Sequence, residues 1–147
     1  MQGWLTLLAA VAGAAIALAG QHIARRREER RHAGQLLLEE CAQVAALAED
    51  YSDRVWEERT LGLTGRVEAW DLRGEGLAVS RLRILCDDAV LIAALDELAE
   101  AGRSLGTYWR AGGADLEEVD VRRARFKAAQ AALLEASGSV VRKQLRR

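Results

Sequence analysis

The side chains that most often carry catalysis are few in this chain and poorly spaced for it. Its only histidines, His22 and His32, flank an arginine cluster, which leaves the body of the chain without a Ser-His or Cys-His arrangement. Cys41 and Cys86 make no metal-ligand spacing, and two free thiols are ordinary in a reducing compartment. Cys41 also falls on an apolar stripe, where a thiol packs rather than reacts. Acidic pairs such as Glu39-Glu40, Glu57-Glu58, Asp87-Asp88 and Glu117-Glu118 resemble the raw material of a carboxylate metal site. None of those named belongs to the Glu-x-x-His pattern by which helical bundles hold two metal ions, so these pairs are expected to cap helices and face solvent. Phosphate loops are absent too, and Gly74-Glu75-Gly76 is too short to form one. The expectation is a protein that is not an enzyme and has no cofactor or metal.

Basic groups are the one repeated theme. Arg25, Arg26, Arg27, Arg30 and Arg31 cluster near the start, and Arg142, Lys143, Arg146 and Arg147 end the chain. Such clusters attract anionic head groups by about 1 kcal/mol per close charge. The plainer alternative is a topology signal at one end and a solvated tail at the other. If the body has four helices, the last returns to the starting side and brings both clusters to one surface.

The first cluster follows a run from Trp4 to Ala24 with no charged side chain. A helix of about 21 residues rises roughly 31 Å, the thickness of a hydrocarbon core, and it satisfies its own backbone hydrogen bonds in lipid. Arginines resist translocation, so the expectation is a single-pass anchor with the N-terminus outside and the body cytoplasmic. A cleaved signal peptide competes, since Ala17-Leu18-Ala19 before Gly20 fits its cleavage pattern. However, Met1-Gln2-Gly3 lacks a basic n-region. A buried helix of a globular domain would show a polar face, and this run shows none. Ala9, Gly13 and Ala17 stand four apart, a spacing that lets membrane helices pair, so a homodimer through this face is one expectation.

The elements that must position these groups are helical. The 147-residue chain has no proline, a net charge of −1 that gives no reason to expect nucleic acid, and a composition rich in Ala, Leu, Glu and Arg. Three segments are expected: an anchor over 1–24, a basic juxtamembrane stretch over 25–32, and a helical body over 33–147. In the body, Leu37, Cys41, Val44, Ala48, Tyr51 and Val55 share one stripe of a helix ending near Leu61. A glycine-marked connection over 62–76 should pack back through Leu63, Val67, Trp70 and Leu72. A short helix over about 77–86 then leads to a break capped by Asp87 and Asp88; the alternative is one helix continuous through the aspartates, since Ala78, Leu82, Leu85, Ala89 and Ile92 keep phase. The next stripe is Leu91, Leu95, Leu98, Gly102, Leu105 and Trp109. After the turn at Gly112-Gly113, Asp115 and Glu118 form a capping box. The last seam is Val119, Phe126, Ala129, Leu133, Ala136 and Val140, with Arg122, Arg123 and Arg125 on a charged face paired to Glu117 and Glu118. Short connections make the whole an all-α, up-down antiparallel bundle.

The anchor followed by RRREERR, and the helix-turn-helix RLRILCDDAVLIAALDELAEAG from Arg81 to Gly102, resemble small single-pass membrane proteins of actinobacteria. That resemblance implies a membrane-held helical body and lends no activity. The function expected is a membrane-tethered helical adaptor binding anionic lipid head groups and either itself or a protein partner. A holin-like bilayer effector of a phage or mobile element is the alternative.

Overall fold

Nothing interrupts the first helix for sixty residues. In the computed structural model, which describes the backbone of residues 2–146 and the side chains of residues 16–144 and 146, α1 (Gln2–Leu61) is continuous and about 90 Å long. The chain contains no proline to break it. It ends where Gly62 takes a φ of 67°, a left-handed residue that terminates a helix without a Cβ clash. The basic stretch over 25–32 lies in the interior of α1. Every residue from Ile16 to Ala33 is exposed, and burial begins at Gly34. From there Leu37, Cys41, Val44, Ala48, Tyr51 and Val55 are all buried, joined by Ala45 and Ser52.

Among the described residues, no helix is long and apolar enough to cross a membrane. The side chains at positions 4–15 of the charge-free run lie outside the described residues. So do those of Ala9 and Gly13, while Ala17 is exposed.

Three further helices, α2 (Leu72–Leu85), α3 (Ala89–Arg110) and α4 (Leu116–Arg146), complete the chain, and no strand occurs among the described residues. The start of α2 corrects the expected boundary. Asp71 caps it, accepting a hydrogen bond from Gly74 N at 2.9 Å, a cap worth about 1 kcal/mol. Gly74 and Gly76 thus lie inside the helix rather than in the connection. A Cβ at position 74 would collide with the Asp71 carboxylate folded over the first turn. Val67 and Trp70 pack back as expected, whereas Leu63 and Leu72 are exposed.

The break between α2 and α3 falls at the aspartates. Asp88 Oδ1 accepts from Val90 N at 3.0 Å and Leu91 N at 3.3 Å. Gly112 and Gly113, with φ of 108° and 41°, turn α3 into α4. Asp115 Oδ1 then accepts from Glu117 N at 2.9 Å and Glu118 N at 3.3 Å. Glu118 does not reach back to complete the capping box, because its carboxylate pairs with Arg122 at 2.7 Å. The other two arginines depart from the expected pairing. Arg123 donates to Ser52 O at 3.1 Å and Arg125 to Glu97 at 2.9 Å, so both tie α4 to its neighbours.

The expected up-down bundle is the architecture. Along α1 and α4, Arg59 pairs with Asp120 at 2.6 Å, Lys127 with Glu49 at 3.0 Å, and Gln130 donates to Ala45 O at 2.8 Å. Numbers fall on one helix as they rise on the other, so the two are antiparallel. All six seam residues of α4 are buried between α1 and α3, with Leu133 and Val119 fully enclosed. A buried leucine of this kind contributes about 1.5–3 kcal/mol through lost apolar surface. At the far end, Glu58 joins three elements: its Oε1 accepts from Val67 N at 2.9 Å and its Oε2 from Trp109 Nε1 at 2.7 Å.

Candidate functional site: an arginine cleft between the first and last helices

Continuing the buried seam of α1 toward its N-terminus replaces apolar residues with guanidinium groups. Gly34 is its last buried position, and stepping back by helical spacing gives Arg31, Arg30, Arg27, Arg26 and Ile23. These recur at i, i+3, i+4, i+7 and i+8, which is one face of a helix. By the same periodicity Glu28 and Glu29 fall on the opposite flank. The arginine face therefore points over the end of the bundle, where the last turn of α4 supplies Arg146.

Together Arg26, Arg27, Arg30, Arg31 and Arg146 line an open cleft of about 570 Å³, completed by Ile23 and Gln144. At its base α4 passes close to Gly34, where a Cβ would make an ordinary contact 3.5 Å from Gln144 Oε1. That oxygen is buried without a hydrogen-bond partner among the described residues. Four of the cleft arginines come from one stretch of α1 and the fifth from more than a hundred residues later, so the fold assembles the group.

Other basic residues go elsewhere. Arg25 is exposed and does not line the cleft. Lys143 turns toward the break between α2 and α3, 3.7 Å from Asp88 Oδ2. Arg142 lies along its own helix, its guanidinium 3.0 Å from where a Cβ on Gly138 would stand. Arg147 lies outside the described residues. Sequence reasoning named the arginines but missed Ile23 and Gln144, although the 23/26/27/30/31/34 spacing carries the signal.

Permanently charged, forked donors suit the oxygens of phosphate or carboxylate, which they bind in pairs. No nucleophile or general base lines the cleft, and no cluster of potential metal ligands occurs among the described residues. Burial pushes the Cys41 thiol up, with a hydrogen bond from Ser137 opposing it. Cys41 and Cys86 are both buried as free thiols close enough to feel each other electrostatically. No family model, curated protein or solved structure matches this chain.

Proposed function

We propose that this protein is a non-catalytic, membrane-tethered helical adaptor, its cytoplasmic bundle carried at the surface of the bilayer with the arginine cleft facing anionic phosphates. The observation that carries this is the continuity of α1. One unbroken helix leads from the charge-free run over 4–24 through the arginine face and into the core of the bundle. Ten residues separate Ala24 from Gly34, a rise of about 15 Å, against a head-group layer of roughly 5–8 Å per leaflet. With Ala24 at the edge of the hydrocarbon, the cleft spans the phosphate layer and the space just beneath it. Arginine on the retained side of a span also agrees with the charge rule for orientation. The outer surface of the bundle is then available to a partner, either another protein or a second copy of this chain.

Flotation of the full chain with neutral vesicles tests the tether, and a reporter fused after Arg147 tests the orientation. The expected results are co-flotation that survives high salt and carbonate, and a reporter active only in the cytoplasm. Loss from the vesicles under carbonate would refute the tether. Dye release from those vesicles would instead favour the bilayer effector, a role for which the packed body has no use.

A further inference from the structure

α2 leans on α1 and α3 on α4, while α2 and α3 make only sparse contact with each other. An open cavity of about 520 Å³ occupies the space this leaves, inside the roughly 300–1,000 Å³ range of small-ligand sites. Three aromatic rings form its floor. Tyr51 lies 4.6 Å from Trp70 between centroids at an interplanar angle of 49°, and 5.9 Å from Phe126 edge-on at 81°. Glycines keep the α3 wall thin. A Cβ on Gly102 would stand 3.0 Å from Phe126, and one on Gly106 would collide with the Tyr51 hydroxyl.

Glu75, in the first turn of α2, lines this cavity and a smaller one beside it that shares Trp70 and Phe126. The residue is half-buried, and its carboxylate has no hydrogen bond or ion pair among the described residues. Burial pushes its carboxyl up, with the charge of Arg103 opposing. Arg103 is already engaged by Glu100 at 2.7 Å. Glu68 and Arg110 also line the cavity, with Arg110 close enough to Tyr51 to feel its hydroxyl. An unpaired carboxylate at the edge of an aromatic floor costs stability at neutral pH, and a glutamine would relieve that cost.

We infer that this cavity binds a small organic cation, an alkyl- or arylammonium whose charge meets Glu75 and whose apolar body packs against Trp70. Ring faces carry the negative end of a quadrupole and attract ammonium groups, most strongly for tryptophan. The carboxylate adds the net charge that the rings lack. An anion could meet Arg110, which lines the cavity without an ion pair among the described residues, but it would have to approach Glu68 and Glu75, so an anionic control decides between the two charges. This site lies apart from the arginine cleft and does not depend on the membrane tether.

Benzyltrimethylammonium is the probe, titrated into the full chain in the non-ionic detergent dodecyl maltoside, with binding followed by tryptophan fluorescence and ligand-detected NMR. Phenylacetate and benzyl alcohol serve as the anionic and neutral controls. Saturable binding of the cation, about tenfold or more tighter than either control, is expected. Glu75→Gln should weaken it by about tenfold or more while leaving helicity and thermal midpoint at pH 7 undiminished. Trp70→Leu should weaken it as well. Binding of phenylacetate as tight as that of the cation, unchanged affinity in Glu75→Gln, or no saturable binding of the cation would each overturn the inference.

Discussion

Removing the Glu58 carboxylate should loosen one end of the bundle by an amount the structure allows to be worked out. Each oxygen accepts one donor, Val67 N at 2.9 Å and Trp109 Nε1 at 2.7 Å. Glu58→Ala strands both donors. Hydrogen bonds to a charged group are worth about 1.5–3 kcal/mol, and both sites are partly wet, so a loss of roughly 2–4 kcal/mol is expected. For a body of this size that lowers the thermal midpoint by about 8–16 °C. Glu58→Gln keeps one acceptor and turns an amide NH2 toward the other donor, so it should lose roughly 1–2 kcal/mol. Placing Glu58→Gln in a Trp109→Phe background removes the stranded donor and should recover part of that loss, a coupling visible in a double-mutant cycle. pH supplies a further check. Burial pushes the Glu58 carboxyl up, but the hydrogen bonds from Val67 and Trp109, helped by the nearby Arg66 and Gly65 amides, outweigh it and hold the group below its ordinary value of 4.5. A depressed acid stabilises the fold above its unfolded pKa, and that contribution is lost as pH falls through the folded one. The gap between wild type and Glu58→Gln should therefore be full at pH 7 and narrow below about pH 4.5. Thermal unfolding followed by tryptophan fluorescence and circular dichroism measures both effects. A Glu58→Ala midpoint within about 2 °C of wild type, or a gap that widens on acidification, would refute this account.

Four further outcomes follow from the same structure. Leu133→Ala opens a cavity where α1, α3 and α4 meet and should cost about 2–5 kcal/mol in denaturant melts, whereas the exposed Leu134→Ala should cost under about 0.5 kcal/mol. Glu75→Gln should raise the thermal midpoint at pH 7 but not at pH 4, because a carboxyl whose pKa burial raises gives stability below its unfolded pKa and loses it as pH climbs through the folded one. Gly106→Ala drives a methyl into the Tyr51 hydroxyl and should cost about 1–3 kcal/mol, with the fluorescence of the neighbouring Trp70 changing alongside. Replacing Arg27, Arg31 and Arg146 with Gln should abolish any enrichment of anionic lipid around the vesicle-bound chain, and in wild type that enrichment should weaken with salt as screening shortens to about 8 Å at physiological ionic strength. Enrichment that is indifferent to salt would remove the electrostatic basis of the cleft.

The seams were legible because helical spacing is a local property. Every residue expected on the α1 and α4 stripes is buried, and the break at Asp88 follows from a side chain that caps the first turn of its own helix. The start of α2 was not legible, since two glycines argue for a loop while a single aspartate three residues before the first of them outweighs both through a folded-over cap. Tertiary pairing was equally hidden. Arg123 and Arg125 look like partners of nearby glutamates by sequence distance, yet the antiparallel neighbours Ser52 and Glu97 lie closer in space. The arginine cleft was half visible, with both clusters evident but their meeting dependent on the even number of helices. The cavity over Tyr51, Trp70 and Phe126 draws residues from every helix and from the connection. No local pattern announces it.

Because α1 passes from its first turns into the bundle without a joint, the two ends of that helix share one azimuth. Whatever grips the first twenty-odd residues also dictates which side of the bundle faces a neighbour, as a shaft fixes the bearing of a vane mounted on it. Adding one residue between Ala24 and Gly34 would swing the bundle by about 100° and lift it about 1.5 Å, while adding seven would lift it about 10 Å and restore its bearing to within roughly 20°. Any partner that must meet both the bundle and something fixed in the plane below would tolerate the seven-residue insertion better than the single one. Spacing along this helix is then a setting of direction as much as of height.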